Sequence, residues 1–288
     1  MRNVLLVAEL TLREATRKRL VLTLLILTAV FVGFYLYGVH LLQIRLTERA
    51  SDLGFDRPLR SASYSYASTA LFGMYLVNFL ASLMAVLSAV GSVSGDIENG
   101  VMQSVAYKPI RRAELVAGRW LGFAVVNTAY IALLSAGLLY GVYAITGFAP
   151  PSPVQAVGLM ILGMLLLLTL TVLGSTFFST LANGIGVFLL YGVGFAGGIL
   201  ASIGKFTNTP LLERLAGYTT VVMPADSLWK GASYHLQTEE LLGFQRFSRG
   251  GNPLLGTDPI STPLLIWAGV YVVLALAAAL WTFSRRDL

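Results

Sequence analysis

The chain has 288 residues, 56% of them hydrophobic and 12% charged, with mean hydropathy +0.74 and a net charge of +6. Soluble domains carry about 25% charged residues, so this composition belongs to an integral membrane protein. Cysteine is absent, which excludes disulfides, thiolate metal sites and cysteine catalysis. The basic excess has an ordinary membrane explanation in orientation and anionic lipid, and calls for no nucleic-acid partner.

Residues 2–19 predict an interfacial helix. Leu5, Ala8, Leu12 and Ala15 share one face, while Arg2, Glu9, Arg13, Arg17 and Lys18 line the other. Glu9–Arg13 and Glu14–Lys18 stand at i,i+4 in the favourable order, each adding about 0.3 kcal/mol. With no small-x-small exit before the first apolar run, this start is not read as a cleavable leader.

A first span is expected from Leu20 to Leu42, with Tyr35 and Tyr37 at the level of an aromatic belt. Gln43 to Arg60 reads as a charged loop in water. The second span covers Tyr66 to Val93 and the third Leu115 to Ile145. The prolines of Thr146 to Pro153 make a turn, and Ser179 to Gly184 reads as another. The fourth span is then Val154 to Phe178, the fifth Ile185 to Ile203 and the sixth Pro263 to Phe283, with Trp267 and Trp281 as anchors. The fold class is an all-α polytopic membrane protein, a single unit over 1–288 with six transmembrane helices.

Between two uncharged runs, 61–94 and 120–204, seven charges fall within the 24 residues from Asp96 to Arg119. A charge at the bilayer centre costs about 2.5–3.5 kcal/mol, so the 96–112 segment belongs in water or against another protein. Asp96 can cap a short helix, on which Ile97, Val101 and Val105 make an apolar stripe. Glu98 and Gly100 lie within it. Lys108-Pro109 stops it, and Arg111 and Arg112 precede the third span. Two readings stand: a docking surface for a soluble partner, and a helix resting on lipid headgroups.

Residues 205–262 form the one sizeable segment beyond the opposite ends of the spans. Pro210 to Leu215 and Pro224 to Leu236 predict helices, each opened by proline. Leu228, Ala232 and His235 or Leu236 share a face beside Trp229, as in an amphipathic lid or interfacial helix, and Gly243 to Pro259 reads as loop. Six spans put both termini on one side. That side has eleven Lys/Arg against six acids, and the other nine against eight. The termini and the 96–112 segment are therefore expected in the cytoplasm.

No phosphate-binding G-x-x-x-x-G-K-[ST] loop is present, and His40 and His235 have no carboxylate at ligand spacing, so no metal site is assigned. No Asp, Glu, Lys or Arg lies between the span borders, which argues against an ion-coupled carrier or an intramembrane enzyme. The polar residues at depth are Asn78, Ser82, Asn127, Thr169 and Thr171. Interhelical hydrogen bonds account for them, while Asn78, Ser82 and Asn127 are also candidates to line a path. The fifth span is glycine-rich, and Gly194 and Gly198 form a G-x-x-x-G that serves close helix contact, within the chain or between two.

With its amphipathic entry helix, six spans, charged segment after the second span, larger loop before the sixth and Arg-Arg-Asp-Leu end, the chain resembles the ABC transporter permeases of the type-2 exporter class. Glu98, Gly100, Pro109, Arg111 or Arg112, and Gly118-Arg119 stand where those permeases show Glu, Gly, Pro-x-x-Arg and Gly-Lys. Arg119 replaces the usual lysine and keeps its charge. The resemblance implies a multi-pass protein of a bacterial or archaeal plasma (inner) membrane without catalysis of its own. It implies a separate ATPase docked on 96–112 that binds the ATP and magnesium, and a second permease subunit, identical or homologous, met through the second and fifth spans, which would line the path. A polytopic membrane scaffold that binds partners without transport is the alternative.

Overall fold

The computed structural model describes residues 2–17, 19–52, 60–95, 111–247 and 252–285. Among these are ten helices: α1 Arg2–Arg17, α2 Arg19–Asp52, α3 Arg60–Ala89, α4 Arg112–Thr146, α5 Pro153–Ser175, α6 Thr180–Thr207, α7 Pro210–Val222, α8 Ala225–Leu236, α9 Glu239–Phe247 and α10 Thr262–Arg285. Six of them, α2 to α6 and α10, are long and apolar enough to cross a membrane.

The most apolar of these, α5, is the hub. It packs against α3, α4, α6, α8 and α10, and Leu166, Leu167, Leu168 and Met164 are fully enclosed. A helix apolar on every side suits this place, since no face need reach water. The outer helices turn large apolar side chains outward, among them Phe34 on α2, Leu133 on α4 and Val273 on α10, as lipid contact allows. The α4–α5 connection follows the expected chemistry. Gly147 takes the left-handed conformation at φ 71°, its N–H bonds to the Tyr143 carbonyl, and Pro153 opens α5.

Several borders differ from those expected. The first span does not stop at Leu42: α2 runs through Gln43 to Asp52, with Thr47 and Ser51 bonding back to the carbonyls of Gln43 and Glu48. Nothing in that decapeptide breaks a helix, and at 1.5 Å per residue it adds about 15 Å beyond Leu42. Tyr35 lies mid-helix, its hydroxyl donating to the Thr69 carbonyl and its ring against Gly73 of α3. The second span ends at Ala89, four residues early, in a turn, and Ser94 and Gly95 are helical again before the described residues break off. The turn expected at Ser179 to Gly184 is shorter: α6 already runs from Thr180, because Asn183 spends its amide on neighbouring helices rather than on a local turn. Part of the loop expected from Gly243 is helix α9, held by Leu241 and Leu242 against α3 and by an edge contact of Tyr64 with Phe244 at 5.5 Å.

The largest departure lies after the fifth span. In place of a lid in water, α7 and α8 form a hairpin that re-enters the bundle. α7 runs back down α6, with Leu212 and Glu213 at Gly204, Thr219 at Gly197 and Met223 at Gly194, the midpoint of α6. After Pro224 the chain climbs as α8, Leu228 packing on Gly163 near the midpoint of α5 and Trp229 meeting Tyr75 of α3 at 5.4 Å. The Ser152 N–H bonds to the His235 carbonyl where α8 regains the α4–α5 end of the bundle. Leu228, Ala232, Leu236 and Trp229 are buried, so the face read as amphipathic is a packing face.

Candidate functional site

Of the residues read as a docking surface, Asp96, Ile97, Glu98, Gly100, Val101, Val105, Lys108 and Pro109 lie outside the described residues. Arg111 and Arg112 are described and exposed where the segment returns to the bundle. The mounting at both of its ends is described in detail.

At the returning end, Arg111 is extended (φ −68°, ψ 139°) as N-cap of α4, and its N–H donates to Glu114 Oε2 at 3.2 Å, one half of a capping box. The same oxygen accepts from Asn3 Nδ2 at 3.1 Å, so one carboxylate ties together the segment's exit, α4 and α1. The amphipathic helix does not lie apart on the membrane surface. Val4, Val7, Ala8 and Thr11 seat it on α4 at Gly118 and Gly122, where added Cβ atoms would fall 2.6 Å from Val7 Cβ and 2.8 Å from the Ala8 carbonyl oxygen. Leu5 and Leu12, which head the expected apolar face, stay exposed beside Leu6 and Leu10. The helix thus has two apolar faces, one for protein and one available to lipid.

At the leaving end, polar side chains from the turn after α3, from α5 and from α6 converge. Ser92 and Ser175 share a hydrogen bond of 3.0 Å, and Ser94 and Thr180 one of 2.9 Å. Asn183 Nδ2 donates to the Val90 and Thr171 carbonyls, each at 2.9 Å. It occupies a slot that only glycine leaves open, since a Cβ at Gly174 would overlap its Oδ1. Sequence reasoning missed this cluster because Thr180 and Asn183 have the composition of a turn, while Ser92 and Ser175 fall singly inside apolar spans.

The three path candidates fare differently. Asn127 is fully enclosed, donating to Ser88 Oγ at 3.0 Å and to the Phe123 carbonyl at 2.8 Å, and so joins α4 to α3. Ser82 bonds back to the Asn78 carbonyl at 2.8 Å, and Asn78 is half-buried. Ten residues separate Asn78 from Ser88, the partner of Asn127, about 15 Å along α3. Thr169 accepts from Trp120 Nε1 at 2.9 Å, pinning α4 to α5.

The glycines of α6 are used within the chain. Gly194 faces Met223, Gly197 faces Thr219, and a Cβ at Gly198 would overlap the Asp226 carboxylate, whereas Gly186 and Gly192 have open space around them. Asp226 and Lys230 pair at 3.0 Å with side chains 12% and 19% exposed, and Lys230 Nζ also donates to the Gly198 carbonyl at 2.8 Å. The expectation that no ionisable group lies at depth therefore fails, because the hairpin carries this pair to within about one turn of the middle of α6. The pair borders a polar cavity of about 330 Å³ between α6, α8 and the start of α10. Two apolar cavities flank the start of α6, of about 590 Å³ beside Phe177 and Leu190 and about 730 Å³ beside Leu87 and Leu189.

The arrangement is thus a helical bundle whose one long polar connection is anchored at both ends, with a buried hairpin on the opposite side. The family model described as ABC-2 family transporter protein matches residues 5–288. No curated protein matches the chain.

Proposed function

The chain belongs to the ABC-2 transporter family and is a multi-pass permease component of membrane transport, and on that premise we propose that it is the membrane subunit of an exporter driven by a separate ATPase. The ATPase grips Asp96 to Arg112, ATP and magnesium bind on that partner, and both termini face the cytoplasm from the plasma membrane. The observation that carries this reading is the mounting of the segment. Its leaving end is held by the Ser92, Ser94, Ser175, Thr180 and Asn183 cluster and its returning end by Glu114. A connection that merely rests on headgroups has no need of two polar anchors, whereas one that transmits a push from a soluble motor must not slide against its bundle. A second permease copy would meet the open side of α6, where Leu181, Ile185, Leu189 and Val193 recur at four-residue spacing with outward side chains.

The test is co-purification of the ATPase with tagged permease. Glu98→Arg combined with Arg111→Glu reverses rim charge in water, where a substitution changes fold stability by about 0.5 kcal/mol or less. It should nevertheless cut partner recovery several-fold, since reversed charge opposes a complementary surface. Gly100→Pro should cut it further by breaking the helix. Full ATPase recovery in all variants at unchanged expression would overturn the docking role. A permease that binds other partners but never an ATPase would favour the scaffold reading.

A further inference from the structure

We propose that the polar cavity between α6, α8 and the start of α10 holds the headgroup of a phosphoethanolamine lipid from the adjoining leaflet. The cavity, about 330 Å³, is bordered by Lys205 and Gly198 of α6, Asp226, Ser227 and Lys230 of α8, and Asp258 of the loop before α10. That volume lies at the small end of ligand sites, which run from about 300 to 1,000 Å³.

Its chemistry is that of a half-satisfied ion pair. An ammonium carries three donors, and Lys230 Nζ has two acceptors among the described residues, Asp226 Oδ2 and the Gly198 carbonyl. The second Asp226 oxygen has no hydrogen-bond partner among them. The pair is mostly buried, and what remains exposed of it, 19% of the Lys230 side chain and 12% of that of Asp226, faces the cavity they line. Around the pair the lining repeats both signs: Lys205 is exposed in the last turn of α6 and Asp258 stands 3.7 Å from Arg246. A fitting ligand must bring an anionic acceptor for the ammonium groups and an N–H donor for the carboxylates on one small body. A phosphate joined to a primary amine does so. A trimethylammonium group offers no N–H, and a glycerol headgroup offers no cation.

The surroundings favour a lipid over a free headgroup. Phe206, next to Lys205 in the last turn of α6, is apolar and 63% exposed, and gives acyl chains a surface at the end of the helix that carries the polar mouth.

The experiment uses the full chain, delipidated in detergent, with melting temperature read against added lipids of identical acyl chains. Phosphoethanolamine lipid should raise Tm and remain as adducts in native mass spectrometry, while phosphocholine and phosphoglycerol lipids should do neither. Lys205→Ala folds as the parent does, its side chain being exposed, and should weaken the phosphoethanolamine response about tenfold, as expected for the loss of one charge-assisted hydrogen bond. Equal responses to all three lipids, or an undiminished response in Lys205→Ala, would overturn the proposal. Full stabilisation by soluble glycerophosphoethanolamine would overturn the lipid assignment and leave a free headgroup as the ligand. No response to any of them would overturn the site.

Discussion

Asn3 and Glu114, 111 positions apart in the chain, are joined by a 3.1 Å hydrogen bond, and through it the N-terminal helix braces the point where the charged segment rejoins the bundle. The bond is only half-buried, and the packing beneath it carries α1. Gly118→Leu should therefore loosen the helix far more than Asn3→Ala. The new side chain collides with Val4 and Val7, and overpacking of this kind costs about 1–3 kcal/mol. Hydrogen exchange over residues 2–17 is the measurement: Gly118→Leu should lose protection there while α5 keeps its own, and Asn3→Ala should differ little from the parent. Unchanged protection in Gly118→Leu would mean that α1 does not sit on this glycine.

Asn183 and Gly174 make a pair whose energetics can be separated by a double-mutant cycle. Asn183→Ala removes hydrogen bonds to the Val90 and Thr171 carbonyls, and interhelical hydrogen bonds in membranes average about 0.6 kcal/mol, with a maximum near 1.7 kcal/mol. Gly174→Ala leaves the hydrogen bonds in principle but drives a methyl group into the Asn183 carboxamide. Each single variant should lower Tm. The double variant should be more stable than Gly174→Ala alone, because shortening residue 183 makes room for the methyl. Additive losses would show that the two residues do not touch.

How far the sequence led depended on whether a signal was local. The Pro-rich turn before Pro153 was legible, since proline density and a glycine at the helix end act over a few residues. Six spans followed from apolar length. The hairpin was not legible: Asp226 and Lys230 look like surface charge until their i,i+4 spacing is seen to cancel them against Gly198. Pro224 announced a helix start without saying that it stood at the bottom of a descent. Asn183-Gly184 has the composition of a turn, and only tertiary demand from Val90 and Thr171 makes it helix. The amphipathic character of α1 was legible, but the face that meets protein was chosen by Gly118 and Gly122, far away in sequence.

Orientation is open to clean labelling because the chain has no cysteine. Ser233 is fully buried beside Gly256 and would report nothing. Glu240 on α9 and Ser284 at the end of α10 are exposed at opposite ends of the bundle. Glu240→Cys should react with an impermeant maleimide from outside intact cells, and Ser284→Cys only after the membrane is opened. The reverse pattern would invert the proposed orientation and put the 96–112 segment on the wrong side for a cytoplasmic ATPase.

The glycines of α6 separate packing within the chain from packing between copies. Gly194 and Gly198 are filled by Met223 and by the Asp226–Lys230 pair, while Gly186 and Gly192 face open space. Gly198→Leu should therefore act on the hairpin first. It must push the Asp226–Lys230 pair aside, and overpacking costs about 1–3 kcal/mol, so Tm should fall and α7–α8 should lose hydrogen-exchange protection. Gly192→Leu meets nothing within the chain and should leave Tm unchanged. If a second copy packs on the open side of α6, that substitution should instead reduce the dimer fraction in detergent, because close helix approach in lipid depends on small residues. Dimer loss in Gly192→Leu at unchanged Tm would assign the open side to the partner permease. Dimer loss in Gly198→Leu without any change in hairpin protection would instead return the G-x-x-x-G to an interface between chains.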